Sequence, residues 1–255
     1  MYVTLSKATW ARIIPVLRAH PRIHTRDAHR LKRFWRALLW MLRTGAQWRA
    51  LPEQLGQWNS VYKRMRRWIR LGVFERLLQV LSLSQADMEW WSVDSTIVRA
   101  HVSAAGAPHT AGGQCAQSLG RSRGGFSTKI HLKADALGNP LKVVLTPGQR
   151  NDKIGWAMLR EPRDAQAKAA LADRGYDSDA IRNELALMGV EAVIPPTNCR
   201  IQAPKYDKHL YQARHVVENL IGKLKWFRRL ATRFDKIDAV FLAFLHIGCS
   251  MIWLR

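Results

Sequence analysis

Four polar residues near the C-terminus, Tyr211, Arg214, Glu218 and Lys225, follow the spacing Tyr-x2-Arg-x3-Glu-x6-Lys. At about 100° per residue of α-helix they fall within a stripe ~60° wide on one face. A tyrosine, two cations and a carboxylate on one face can grip a phosphodiester backbone and hold a metal ion. Upstream, Asp94 in Trp-Ser-Val-Asp-Ser-Thr and Asp173 in Leu-Ala-Asp-Arg-Gly-Tyr each follow a short apolar run. Two aspartates on strands and one glutamate on a helix are the oxygen ligands that a two-metal phosphoryl-transfer site requires. Each residue also has a plainer reading. Asp94 suits a strand end or cap, Asp173 suits a turn or a partner for Arg174, and Glu218 suits an ordinary helical pair with Arg214.

These residues need elements to position them. Residues 90–100 alternate and are rich in β-branched side chains, which predicts a strand. Residues 129–134 and 141–146 predict two more, joined by a turn at Leu137-Gly138-Asn139-Pro140. A helix over 153–160 follows, then a strand over 169–172, a helix over 179–188, a strand over 191–195, and the helix carrying the four polar residues. Three strands followed by alternating helices and strands predict an α/β layer fold for residues 85–255. Asp135, Asp152, Asp177 and Asp179 read as turn and cap residues, Asp152 being the one best placed to support the site. His101 and His131 read as structural or phosphate-contacting residues rather than metal ligands.

Residues 102–126 are rich in Gly, Ala and Ser and predict a mobile loop. Its Arg121 and Arg123, beside Gly124 and Gly125, suit a loop ordered by a phosphate backbone, and Lys129 just beyond is read with them as a further phosphate contact.

Residues 1–84 predict an all-helical, helix-turn-helix-like domain. Ser6 caps a first helix, and Thr25 caps a second that closes at Gly45. Pro52 opens a short helix stopped by Gly56, residues 59–71 form a fourth helix, and residues 74–81 a last one. In the 59–71 helix Val61, Met65, Trp68 and Ile69 face inward, and Lys63, Arg64, Arg66, Arg67 and Arg70 face outward. A short helix, a glycine turn and a basic amphipathic helix resemble a DNA-reading unit; the plainer alternative is a helical bundle with a solvated basic face.

Charge points the same way. The chain carries a net charge of +22 over 255 residues. Residues 1–84 hold 17 Lys and Arg against 3 Asp and Glu. An excess of that size favours a polyanion through counterion release. Cys115, Cys199 and Cys249 form no Cys-x2-Cys pair and no disulfide framework, which fits a reducing cytosol and argues against zinc. The first residues show no apolar signal core. The stretch 237–254, broken by Asp238, His246 and Ser250, predicts a core helix rather than a membrane span. A cytoplasmic, nucleoid-associated protein is expected.

The order of short motifs resembles a known family. Leu51-Pro52 with Gly56-Gln57-Trp58 and Val61-Tyr62, then Val93-Asp94-Ser95-Thr96, Gly120-Arg121-Ser122-Arg123-Gly124-Gly125, Thr128-Lys129-Ile130-His131, Ala172-Asp173-Arg174-Gly175-Tyr176 and the Tyr-Arg-Glu-Lys helix are similar to stretches of the DDE transposases of bacterial insertion sequences, in the group named after insertion sequence five. One departure is Gly-Gly-Phe-Ser-Thr-Lys where the family usually reads Gly-Gly-x-Thr-Thr-Lys; Ser127 keeps the hydroxyl. The resemblance implies an RNase H-like catalytic domain, a mixed sheet flanked by helices. It implies Asp94, Asp173 and Glu218 as the metal-binding catalytic carboxylates for two Mg2+ (or Mn2+) ions, and Tyr211, Arg214 and Lys225 as DNA contacts. The implied activity is cleavage of double-stranded DNA at terminal inverted repeats and strand transfer into target DNA, by a homodimer or higher oligomer assembled on DNA. A non-catalytic basic regulator and an RNase H-like nuclease without joining activity are the alternatives. A regulator has no need of the three carboxylates together.

Overall fold

The alternating run that begins at Trp90 becomes the central strand. In the computed structural model, which describes residues 5–23, 27–106, 113–122 and 124–255, β1 (Trp90–Arg99) pairs antiparallel with β3 (Gly125–Asp135), and β3 pairs antiparallel with β4 (Pro140–Pro147). On its other edge β1 pairs parallel with β5 (Ala169–Leu171), which pairs parallel with β6 (Glu191–Val193). Three antiparallel strands and then two parallel ones, with the first strand in the middle, form an RNase H-like sheet. The β3–β4 hairpin closes because the Asp135 carboxylate accepts from the backbone N–H of Leu137 at 3.0 Å and of Asn139 at 2.7 Å. Gly138 supplies the positive φ, 76°, that this turn needs.

Helices cover the sheet. α7 (Asp152–Leu159), capped by Asn151, packs on β3 and β4. Downstream come α8 (Asp179–Leu187), α9 (Lys208–Gln212), α10 (His215–Lys225), α11 (Arg228–Ala231) and α12 (Asp238–Trp253). α10 lies against β1 and β3.

The expected N-terminal helices form as α1 (Lys7–Arg18), α2 (Ala28–Thr44), α3 (Trp58–Arg70) and α4 (Val73–Gln85), with a 3-10 turn at Glu53–Leu55 where the short helix was expected. Ser6 caps α1, and Gly45, at φ 66°, closes α2. Thr25, the expected cap of α2, lies outside the described residues; Asp27 caps the helix instead, accepting from Arg30 N–H at 2.9 Å.

Two expectations are corrected here. The segment 102–126 carries secondary structure: α5 (Val102–Ala105), α6 (Gly113–Ala116) and β2 (Gly120–Ser122), the last paired with the start of β3. Leu119 and Ala104 are buried, and Thr128 Oγ1 donates to the Ser118 carbonyl at 2.6 Å, so apolar burial and hydrogen bonds anchor the described parts 102–106 and 113–122 of the segment despite its composition. Arg123 lies outside the described residues. The helix expected to carry all four polar residues is broken between α9 and α10. Ala213, Arg214, Val216 and Val217 donate to carbonyls three residues back rather than four, which winds the junction as 3-10 helix.

α12 buries nearly every residue and packs on α2, α3, α4 and β4. One continuous hydrophobic cluster therefore runs from Ile13, Trp35 and Leu77 through Phe241 and Phe244 to Leu132 and Tyr176. Among the described residues no helix is long and apolar enough to cross a membrane.

Candidate active site

Register brings the two aspartates together. The last parallel rung between β1 and β5 pairs Ser92 with Leu171. Asp94 and Asp173 each stand two residues beyond that rung, on adjacent chains and on the same face, since side chains alternate along a strand. β5 stops at Leu171 because Asp173 turns the chain into a 3-10 turn, its Oδ1 accepting from Gly175 N–H at 2.9 Å.

The same face of the sheet receives α9 and α10. Trp90, Leu171 and Val193 pack with Leu210, Tyr211 and Val216, which seats the start of α10 over Asp94. Arg214 then reaches two candidate ligands, Asp94 on β1 and Glu218 one turn along α10. Its Nη1 lies 3.2 Å from Asp94 Oδ2, and its Nη2 donates to Glu218 Oε1. The plain helical pair between Arg214 and Glu218 is thus present, and the same guanidinium ties Glu218 to Asp94. Arg214 Nη1 is buried and makes no hydrogen bond of good geometry, although it faces Asp94. The 3-10 junction stacks Arg214 over the Tyr211 ring at 5.8 Å, as the eclipsing of residues three apart in that helix allows. Lys225 is exposed at the far end of α10.

Electrostatics register the crowding. Burial raises the Asp94 carboxyl above its usual range and the Asp173 charge adds to this, while Arg214 and the Ser95 N–H oppose it. For Arg214 burial lowers the value, but Asp94, Tyr211, Glu218 and Asp173 together hold it above the ordinary range. All three candidate carboxylates therefore act on one cation.

A second group of residues lies on the other face of β1. Ser95 points opposite to Asp94, and its Oγ donates to Asp152 Oδ1 at 2.6 Å. Lys129 Nζ donates to the same oxygen at 2.9 Å and to the Arg150 carbonyl at 2.7 Å. The Oδ2 of Asp152 and the Oδ1 of Asp173 flank Gly175, where an added Cβ would sit 3.4 Å from the first and 3.0 Å from the second. A side chain there would press on the Asp173 carboxylate and touch that of Asp152, which favours the glycine. Burial pushes Asp152 up, but the hydrogen bonds from Ser95 and Lys129 prevail and hold it low. Tyr176 is fully buried beneath this group, and its hydroxyl has no hydrogen-bond partner. Burial, and then the charges of Asp152, Asp94 and Asp173, push its phenol well up, so it keeps its proton. The sequence pointed to Asp152 as a supporting residue; Ser95 and Tyr176 carried no signal beyond adjacency to the two aspartate motifs.

Lys129 is corrected by this arrangement. It is buried and ion-paired, so it braces Asp152 and is not free to meet DNA. His131 is structural: its Nε2 hydrogen-bonds Thr146 Oγ1 at 2.8 Å, and burial lowers it to about 4. Arg174 pairs with Asn198 rather than with Asp173. The five cations of α3 do not share one outward face. Lys63, Arg67 and Arg70 are exposed, whereas Arg64 is half-buried over the Phe34 ring and half-buried Arg66 donates to Tyr62 Oη. Arg121 is exposed on β2, beside Phe126.

The donor set is all oxygen, the chemistry that Mg2+ and Mn2+ favour. Among the described residues no three ligating side chains are grouped as a ready-made metal site. The carboxylates of Asp94 and Glu218 already hold a cation, the Arg214 guanidinium. Their oxygen chemistry suits a divalent ion, and the guanidinium stands between two of the donors.

Comparison with known proteins agrees with the geometry. Residues 88–253 match the family model described as Transposase DDE domain, and residues 5–78 match the one described as Putative transposase of IS4/5 family. A putative transposase for insertion sequence element IS6501 from Brucella ovis is 36% identical over 131 residues, 51% of this chain and 100% of that protein. A putative transposase for insertion sequence element IS402 from Burkholderia cepacia is 33% identical over 49% of this chain and 62% of its own length. An uncharacterized protein, y4sN, from Sinorhizobium fredii is 53% identical over 32% of this chain and 64% of its own length. With one family model spanning more than half of the chain and one relative matched along its whole length, the chain belongs to the DDE transposase family of insertion sequences.

Proposed function

We propose that the chain cuts DNA at the ends of its element and joins the freed ends to target DNA, using Asp94, Asp173 and Glu218 as the ligands of two Mg2+ or Mn2+ ions. The observation that supports this most is the shared guanidinium: Arg214 gathers Asp94 and Glu218 onto one cation, while strand register sets Asp173 beside Asp94. When bound, the ions would activate an attacking oxygen and stabilise a leaving one. The chain's own residues do the remainder. Asp94 is fixed to its backbone, Oδ1 accepting from Ser95 N–H at 2.8 Å, and Asp173 is fixed by Gly175. Arg214, Tyr211 and Lys225 then hold the phosphates flanking the scissile bond, with Arg214 passing from carboxylates to phosphate. Residues of α2, α3 and the β2 edge supply the basic surface for duplex DNA. Joining requires two element ends at once, so the active species is a dimer or a higher oligomer on DNA.

The test is Asp173→Asn, which is nearly isosteric and removes one ligand charge. Nicking and joining of an end-bearing duplex should vanish while gel-shift affinity for the same duplex stays within a few-fold of wild type. Retained nicking would remove Asp173 from the site. Loss of binding together with nicking would make the residue structural.

A further inference from the structure

A group of arginines lies away from the carboxylates, between α2 and α3. A cleft of about 300 Å3 opens there, with Arg30 and Arg33 on the α2 wall, Arg64 on the α3 wall, and Gln57 and Ser60 at its end. It shares Arg30, Arg33 and Leu55 with a neighbouring hollow of about 480 Å3 that adds Lys32 and Arg36, so the two form one cationic trough along α2. None of Arg30, Arg33 and Arg64 enters an ion pair among the described residues. Asp27 also lines the second hollow; its carboxylate caps α2 and offsets part of the charge of Arg30 and Arg64. Arg64 is held in place: its guanidinium lies 5.2 Å from the Phe34 ring centre, and Phe34 packs edge-on against Trp68 at 4.9 Å. Burial, with the charges of Arg30, Arg67 and Arg33, pushes Arg64 below its ordinary range against the opposing charge of Asp27. Arg64 is fixed by packing and the exposed Arg30 and Arg33 line the same hollow, so an anion there would meet three guanidinium groups at once.

We infer that this trough, rather than the outward face of α3, is where the N-terminal helices hold the phosphodiester backbone of duplex DNA, with Arg30, Arg33 and Arg64 as its phosphate ligands. Guanidinium forks suit phosphate oxygens, and the Gln57 side-chain NH2, whose oxygen accepts from Ser60 Oγ at 2.9 Å, adds a neutral donor. The inference rests on the chain acting on DNA but not on its chemistry, so the two fail separately.

The experiment measures full-length protein binding to a fluorescent duplex, without divalent metal, across a salt series. Each phosphate neutralised contributes a slope of about −0.9 in log K against log salt. Arg30→Gln, Arg33→Gln and Arg64→Gln combined should flatten the slope by two to three units, that is about 0.9 for each of three contacts, equally on element-end and random duplexes. Lys63→Gln with Arg70→Gln, on the exposed side of α3, should change it by less than one unit. Because Arg64 packs on Phe34, the exposed Arg33→Gln alone serves as the check on folding, with an expected loss of about 0.9. An unchanged slope in the cleft variants, or an equal or larger loss in the α3 control, overturns the assignment. A loss seen only with single-stranded DNA overturns the choice of duplex. Nicking retained by Asp173→Asn would defeat the catalytic reading and leave the trough result standing.

Discussion

Removing Arg214 should tighten divalent-metal binding to the DNA-free protein. The sequence alone suggests the opposite of a coupling: an arginine has the wrong charge to ligate a cation, so its loss should leave metal affinity unchanged. The structure changes that expectation, because the guanidinium sits on Asp94 and Glu218, two of the three proposed ligands. Its gross attraction to one carboxylate at about 4 Å and an effective dielectric near 20 is about 4 kcal/mol. Much of this is offset by desolvation, and by solvent at Glu218, whose side chain is 53% exposed. A net of about 1.5–3 kcal/mol remains to be surrendered when the arginine leaves, which corresponds to roughly 10- to 100-fold in metal affinity. Calorimetric titration of Mn2+ into DNA-free wild type and Arg214→Gln should show the variant binding tighter by that factor, with Arg214→Lys between them. Cleavage by the Gln variant should nonetheless fall, since the phosphate contact is lost. Equal or weaker metal binding in Arg214→Gln would refute the competition and make Arg214 a support that holds the ligands in place.

Two further outcomes follow from the opposite face of β1. Asp152→Asn leaves the buried Lys129 ammonium without its carboxylate, and should cost about 2–3 kcal/mol in urea unfolding, partly recovered by adding Lys129→Met; additive losses would show that the pair is not coupled. His131 is lowered from 6.5 to about 4 by burial, so it contributes stability that is fully present above pH 6.5 and is lost as pH falls toward 4. His131→Gln should remove up to about 3 kcal/mol of that acid-induced loss, and parallel pH–stability curves for variant and wild type would refute it.

Much of the fold can be read from local pattern, because β1, β3, β4, α7 and α8 each carry their own periodicity and caps. What pattern cannot supply is the partner of each face. Lys129, His131 and Lys133 alternate with Ile130, Leu132 and Ala134, which reads as a strand with one wet side. In the fold α7 covers that side, and Asp152 and Asp164 compensate the lysines, Lys133 lying over Trp91 at 4.8 Å. That compensation comes from residues 23 and 31 positions away and leaves no mark on the strand itself. The break before α10 was equally silent: neither Ala213 nor Arg214 disfavours helix, and the 3-10 winding follows from how Leu210 and Val216 must both reach the Trp90 cluster. The carboxylate triad was legible by type and order, whereas its gathering around Arg214 depends on a parallel register fixed only in three dimensions.

The shared core through α12 has a consequence for how such elements diversify. The two family matches, residues 5–78 and 88–253, suggest parts that could be traded between relatives. Yet Val240, Phe244 and Met251 of α12 belong to the same cluster as Leu77 and Leu81 of α4. A chimaera joined near residue 85 inherits one half of an apolar contact from each parent and must match their side-chain volumes to close it. Recombination between distant elements is therefore filtered by packing before it is ever tested on DNA, and the N-terminal helices and the sheet are expected to travel as one heritable unit.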